Sequence, residues 1–128
     1  MKILICGDRN WTNKEKIKDE LIKSIENEPT LDKSKSPASI VVIHGGARGA
    51  DKLAGEVAEE LGMRVVVFSA KWEKFGIAAG PIRNIEMLNE NPDLVLAFHN
   101  DLSKSKGTAH TVKTAQKRDL KVKVIGEN

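Results

Sequence analysis

The chain has 128 residues, of which 40% are hydrophobic and 30% charged, with a formal net charge of +3. This composition fits one folded domain that buries its own core, and it excludes a disordered or fibrous chain. The lone cysteine, Cys6, excludes an internal disulfide and suits a reducing compartment. The opening apolar run, Met1 to Cys6, is too short for a signal peptide or a membrane span. A cytoplasmic protein with no membrane partner is therefore expected.

The first strand is expected over Lys2–Cys6. A helix follows Thr12, with Glu15 completing a capping box and Ile17, Leu21 and Ile25 on one stripe, and it stops before Pro29. The polar stretch from Glu28 to Ser39 reads as a surface loop. A second strand, Ile40–His44, leads to a helix from about Ala50 to Leu61 that ends at Gly62. The third strand is Arg64–Phe68, and the next helix starts at Gly80-Pro81 and ends near Asn91-Pro92. Leu94–Phe98 is the fourth strand. A last helix follows Gly107-Thr108 and ends around Lys117-Arg118, before the fifth strand, Val122–Ile125. Strict alternation of strand and helix implies an α/β fold, a Rossmann-like three-layer sandwich on a five-stranded parallel sheet.

Such sheets bind ligands beyond the carboxyl ends of their strands. Those ends carry Gly7-Asp8-Arg9, then His44-Gly45-Gly46-Ala47-Arg48-Gly49-Ala50-Asp51, then Ser69, Lys71 and Trp72, and finally His99-Asn100-Asp101 with Gly107-Thr108. Glycines before a helix let backbone amides approach an anion, which makes Gly45, Gly46 and Gly49 candidate phosphate contacts beside Gly7. No Walker lysine follows, and Ser69-Ala70-Lys71 stands where a dinucleotide site would place an acidic residue, so a nicotinamide enzyme is disfavoured. No cofactor is expected.

Arg48 lies just before one helix and Arg83 is expected in the first turn of another, where the dipole disfavours a cation unless an anion sits between. Arg9 adds a third charge at a strand end. Gly107 and Thr108 repeat the phosphate arrangement, although threonine also serves as a plain cap. Asp51 either contacts a ribose hydroxyl or only complements the dipole. His44 is either an acid–base group or a strand-end histidine satisfied by backbone. Trp72 either stacks on a base or covers the sheet edge. Cys6, Met63 and Met87 are assigned to the core, Trp11 and Phe75 to packing. No His, Cys and carboxylate set has metal-ligand spacing.

Taken in order, Gly7-Asp8-Arg9, His44 to Asp51, Trp72, Gly76, Ala79-Gly80, Arg83-Asn84, Met87, Ala97-Phe98 and Gly107-Thr108 resemble the YspA-type branch of the SLOG superfamily. The resemblance implies a Rossmann-like sheet, frequent homodimers and binding of nucleotides or nucleotide-derived ligands. More distantly, the chain is similar to the LOG phosphoribohydrolases, which release a base from a nucleoside monophosphate with a Gly-Gly-x-Gly-Thr-x-x-Glu segment and an arginine. Here Thr111 takes the place of that glutamate and the preceding Gly-Gly is absent. Nucleotide N-glycosidase chemistry would need another group, with Asp8, Asp51, Asp101 and His44 as candidates. The glycine-arginine segment is also similar to that of the DNA-processing protein DprA, which keeps single-stranded nucleic acid open as a partner. Scarce aromatics and scattered lysines count against it.

Overall fold

A computed structural model describes residues 1–28 and 37–127. Five strands form one parallel sheet in the order β3-β2-β1-β4-β5. They are β1 (Lys2–Gly7), β2 (Val41–His44), β3 (Arg64–Val67), β4 (Leu94–Phe98) and β5 (Val122–Ile125). The helices are α1 (Lys14–Glu26), α2 (Ala50–Glu60), α3 (Trp72–Phe75), α4 (Ala79–Leu88) and α5 (Lys106–Lys117). Together they make the doubly wound α/β arrangement anticipated from strand–helix alternation.

Period-two burial divides the core into two layers. Ile3 and Ile5 of β1, with Leu94, Leu96 and Phe98 of β4, join Ile17 and Leu21 of α1 and Ala54, Val57 and Ala58 of α2. The alternate residues, Leu4, Cys6, Val95 and Ala97, pack with Met87 and Leu88 of α4 and Val112 and Ala115 of α5. Each Val, Leu, Ile, Phe or Met side chain among them contributes roughly 1.5–3 kcal/mol on leaving water. β1 and β4 are covered on both faces, whereas β3 is an edge strand whose Val67 is 50% exposed. Trp11 is buried edge-on against Phe98, while Phe75 is partly exposed and so does not serve the core.

Several boundaries differ from the sequence reading. The cap of α1 is Asn13, not Thr12: its side chain accepts from the Lys16 amide at 3.1 Å, one residue later than the Thr12–Glu15 box would require. The helix ends at Glu26, and Pro29, with most of the expected loop, lies outside the described residues. An unforeseen short helix, α3, and a 3-10 turn over Gly76–Ala78 precede α4, which starts at Ala79. Arg83 is consequently its fifth residue, beyond the first turn. The last helix starts at Lys106 with Ser105 as its cap, so Thr108 lies inside it.

Two glycines allow β1 to meet its neighbours closely. A Cβ on Gly7 would fall on the Phe98 carbonyl oxygen and on Ala50. Gly49 has φ 78°, and a Cβ there would strike the carbonyl oxygens of Asp8 and Arg9. That approach lets the Ala50 amide donate to the Asp8 carbonyl at 3.1 Å and seats α2 beside the end of β1.

Among the described residues, no helix is long and apolar enough to cross a membrane.

Candidate functional site

The strand order reverses between β1 and β4, and the gap beyond their carboxyl ends is where a parallel sheet leaves room for a ligand. A cleft of about 370 Å³ lies there. Its floor is Cys6, Gly7 and Met87, and its walls come from the loop after β1, the start of α2, the middle of α4 and the start of α5. Five cationic side chains line it (Arg9, Arg48, Arg83, Lys104 and Lys106) against the carboxylates of Asp8 and Asp51. Of the residues singled out from sequence, Gly7, Asp8, Arg9, Arg48, Asp51, Arg83, Gly107 and Thr108 meet on this cleft.

The glycine-rich turn after β2 is not the open amide cradle its composition suggested. Asp51 turns inward from the first turn of α2, and one oxygen, Oδ2, accepts from the Gly45 amide at 2.9 Å and the Ala47 amide at 3.3 Å. The Gly46 amide donates to His44 Nδ1 at 3.0 Å. An anionic ligand at those amides would have to displace a carboxylate already in place. Gly45 and Gly46 therefore shape the turn rather than hold phosphate through these N–H groups. Asp51 is committed to the same turn rather than reaching outward for a sugar. Burial pushes its carboxyl up to about 6, although both amides and the charges of Arg83 and Arg9 act the other way.

His44 is also turned away from the cleft. Its Nδ1 is taken by the Gly46 amide and its Nε2 lies against α2, where a Cβ on Gly55 would come within 2.9 Å. Burial lowers its pKa, and the Arg83 charge adds to the effect. The candidate role of acid or base is thereby replaced by a structural one. Asp101 likewise lies outside the cleft lining and caps the turn over Leu102–Lys104, accepting from the Ser103 amide at 3.0 Å and the Ser103 hydroxyl at 2.6 Å.

His99 was not singled out beforehand, yet it is the buried histidine on the cleft wall. It repeats the device of His44, with Nδ1 accepting from an amide two residues on, here Asp101 at 2.9 Å. A ring that accepts at Nδ1 carries its proton on Nε2. That nitrogen stands 3.9 Å from Asp8 Oδ2, while Asp8 Oδ1 accepts from the Asn10 amide at 2.8 Å. The signal in the sequence was the matching histidine at the ends of β2 and β4, whose meaning depends on which end borders the cleft.

Arg83 ties the rim together. Its Nη1 donates to the Gly45 carbonyl at 2.6 Å, and Nε donates to Asn84 Oδ1 at 3.0 Å. Burial lowers its pKa, and the charge of Asp51 counters that shift. Asn84 Nδ2 in turn donates to the Gly107 carbonyl at 3.4 Å, linking α4 to α5. At the start of α5 the Thr108 amide donates to Ser105 Oγ at 3.3 Å, whereas no partner is found among the described residues for the amides of Lys106 and Gly107. Nothing lies within 4 Å of a Cβ built on Gly107, so the space beside this residue is open, and the residue lines the cleft. Cys6 below is held as a thiol, its pKa driven up first by burial and then by the Asp51 charge.

Gly45, Gly46 and Trp72 border a second concavity of about 580 Å³ on the β3 side of the arginines. Gly49 borders neither and packs against the backbone of Asp8 and Arg9 in the loop after β1.

This is a doubly wound α/β domain with an arginine-rich cleft at its topological switch point. Residues 1–75 match the family described as YAcAr, the YspA, cpYpsA-related SLOG family, and the chain belongs to that family. It is similar to the Gene 61 protein of Mycobacterium phage D29, at 38% identity over 133 residues, covering 98% of this chain and 97% of the phage protein. No solved structure matches it.

Proposed function

We propose that the cleft between β1 and β4 binds the phosphate of a nucleotide or nucleotide-derived ligand, as a sensor or ligand-binding domain. The observation that carries this reading is the convergence of Arg9, Arg48 and Arg83 with the open start of α5 on one concavity. Three guanidinium groups placed together repel one another, and a shared anion relieves that cost. Family membership supports the same class of ligand.

The test is a thermal-shift panel of mono-, di- and cyclic nucleotides, followed by calorimetry. At least one member should raise the melting temperature, and Arg48→Ala should weaken its binding about tenfold or more. Gly107→Ala separates binding from folding. The added methyl meets no neighbour and raises helix propensity by up to about 1 kcal/mol, so the fold should be as stable or more so. Because Gly107 lines the cleft, the same methyl narrows the room for an anion beside the first turn, and affinity should fall. Unchanged affinity in both variants would remove the phosphate site.

A second reading, hydrolysis of the N-glycosidic bond of a nucleotide, is favoured by one arrangement. Of the four candidate acid–base groups, Asp8 is the one that lines the cleft without being committed to the β2–α2 turn. His99 with its proton on Nε2 donates and does not act as the base, which leaves Asp8 to accept a proton from water. Incubation with nucleoside monophosphates should then release free base, and Asp8→Asn should abolish the release while retaining binding. Chromatograms without free base for every nucleotide that binds would discard the enzyme reading and leave the binding reading intact.

A further inference from the structure

The cleft between β1 and β4 and the concavity beside Trp72 share a wall made of Ala47, Arg9, Arg48 and Arg83. Their volumes, about 370 and about 580 Å³, each lie in the range of roughly 300–1,000 Å³ that accommodates one drug-sized group. The two chambers differ in chemistry. The first carries Lys104, Lys106 and the start of α5, together with Asp8 and His99. The second holds no carboxylate, and it offers the indole of Trp72, half exposed, beside Ser69 and Ala70. Helix α4 spaces them. The Trp72 ring would touch a Cβ on Gly80 at 3.4 Å, and one turn later, about 6 Å along the axis, Asn84 bonds to Gly107. Arg83 lies on that intervening turn.

Resting on the phosphate-site reading above, we propose that the ligand is two-headed: a diphosphate whose bridge lies across the arginine wall, with one nucleoside in the α5 chamber and a second ring system stacked on Trp72. A mononucleotide fills one chamber and leaves the other to water. A bridged diphosphate places negative charge beside all three guanidinium groups and uses both concavities. Stacking on Trp72 is tolerant of the base, so the second head is defined by its flat face more than by its hydrogen-bonding edge.

AMP, ADP and diadenosine diphosphate serve as probes, titrated by calorimetry and by fluorescence in a Trp11→Phe background, where Trp72 is the remaining indole. Diadenosine diphosphate should bind at least about tenfold more tightly than AMP and should change Trp72 emission, whereas inorganic pyrophosphate should bind without that change. Trp72→Ala should lower affinity for diadenosine diphosphate about tenfold with pyrophosphate unaffected, and Trp72→Phe should restore most of it. If AMP binds as tightly as diadenosine diphosphate, or Trp72→Ala leaves the latter untouched, the two-headed ligand is wrong and the phosphate site stands. If none of the probes binds, pyrophosphate included, both readings fall.

Discussion

Arg83→Ala is expected to lower affinity for any nucleotide that binds the cleft by about 100-fold, and to cost the fold about 2–3 kcal/mol. Both effects come from one guanidinium. Its Nη1 and Nε hold the Gly45 carbonyl and the Asn84 side chain, and Gly45 is buried, so truncation strips a buried carbonyl of its side-chain donor. The remaining nitrogen, Nη2, has no protein partner among the described residues, and the guanidinium borders both concavities. Arg83→Lys should recover part of the stability and little of the affinity, because a single ammonium cannot span both anchors and a ligand. Titration calorimetry gives the first quantity and denaturant unfolding the second. An Arg83→Ala protein that binds normally would show that the cation only supports the turn.

The second large effect is a pH dependence of stability centred on Asp51. Burial raises its carboxyl from 3.8 to about 6, so the folded state holds this proton more tightly than the unfolded chain does. Where the folded state binds more protons, stability falls as pH rises. Asp51 costs nothing below about pH 4, grows costly between 4 and 6, and exerts its full penalty above 6. At about 1.4 kcal/mol per tenfold, two tenfold steps amount to about 3 kcal/mol. Asp51→Asn should keep the turn, since a single carboxamide oxygen can accept from both Gly45 and Ala47 as Oδ2 does now. The variant should therefore gain on the wild type as pH is raised from 4.5 to 7.5, by about 2 kcal/mol in denaturant unfolding, because part of the penalty is already present at pH 4.5. A difference that stays flat over that range would mean that the carboxyl keeps its ordinary acidity.

These two residues also show how far the site could be read in advance. The sequence already marked both as charged groups near helix starts, and offered an external anion as the reason for Arg83 and a ribose hydroxyl or the helix dipole as the reason for Asp51. The structure supplies an internal partner first: Asp51 fills the amide nest of its own turn, and Arg83 braces that turn from across the cleft. Arg83 and Gly45, 38 residues apart in the chain, meet because β1 and β2 are adjacent and α4 packs on the other face, which no local pattern encodes. His99, noted at the end of the fourth strand, was given no role for the same reason. It and His44 share one local device, and only the position of the switch point makes one of them line the cleft.

What the sequence determined by itself was everything governed by neighbours a few residues apart. Short apolar, β-branched runs and period-3.6 patterns set the five strands and the principal helices, and their alternation left a parallel doubly wound sheet as the packed solution. Caps shifted by one to three residues, to Asn13 and Ser105, because several polar side chains near each helix start could serve and tertiary packing selected among them. Which glycine amides are spent and which remain open, which histidine borders the cleft, and which arginines share a wall were decided by the fold alone. The amides are filled by partners two to six residues away once the turn takes its shape, whereas the shared arginine wall and the cleft-lining histidine depend on contacts between distant strands and helices that no local pattern encodes.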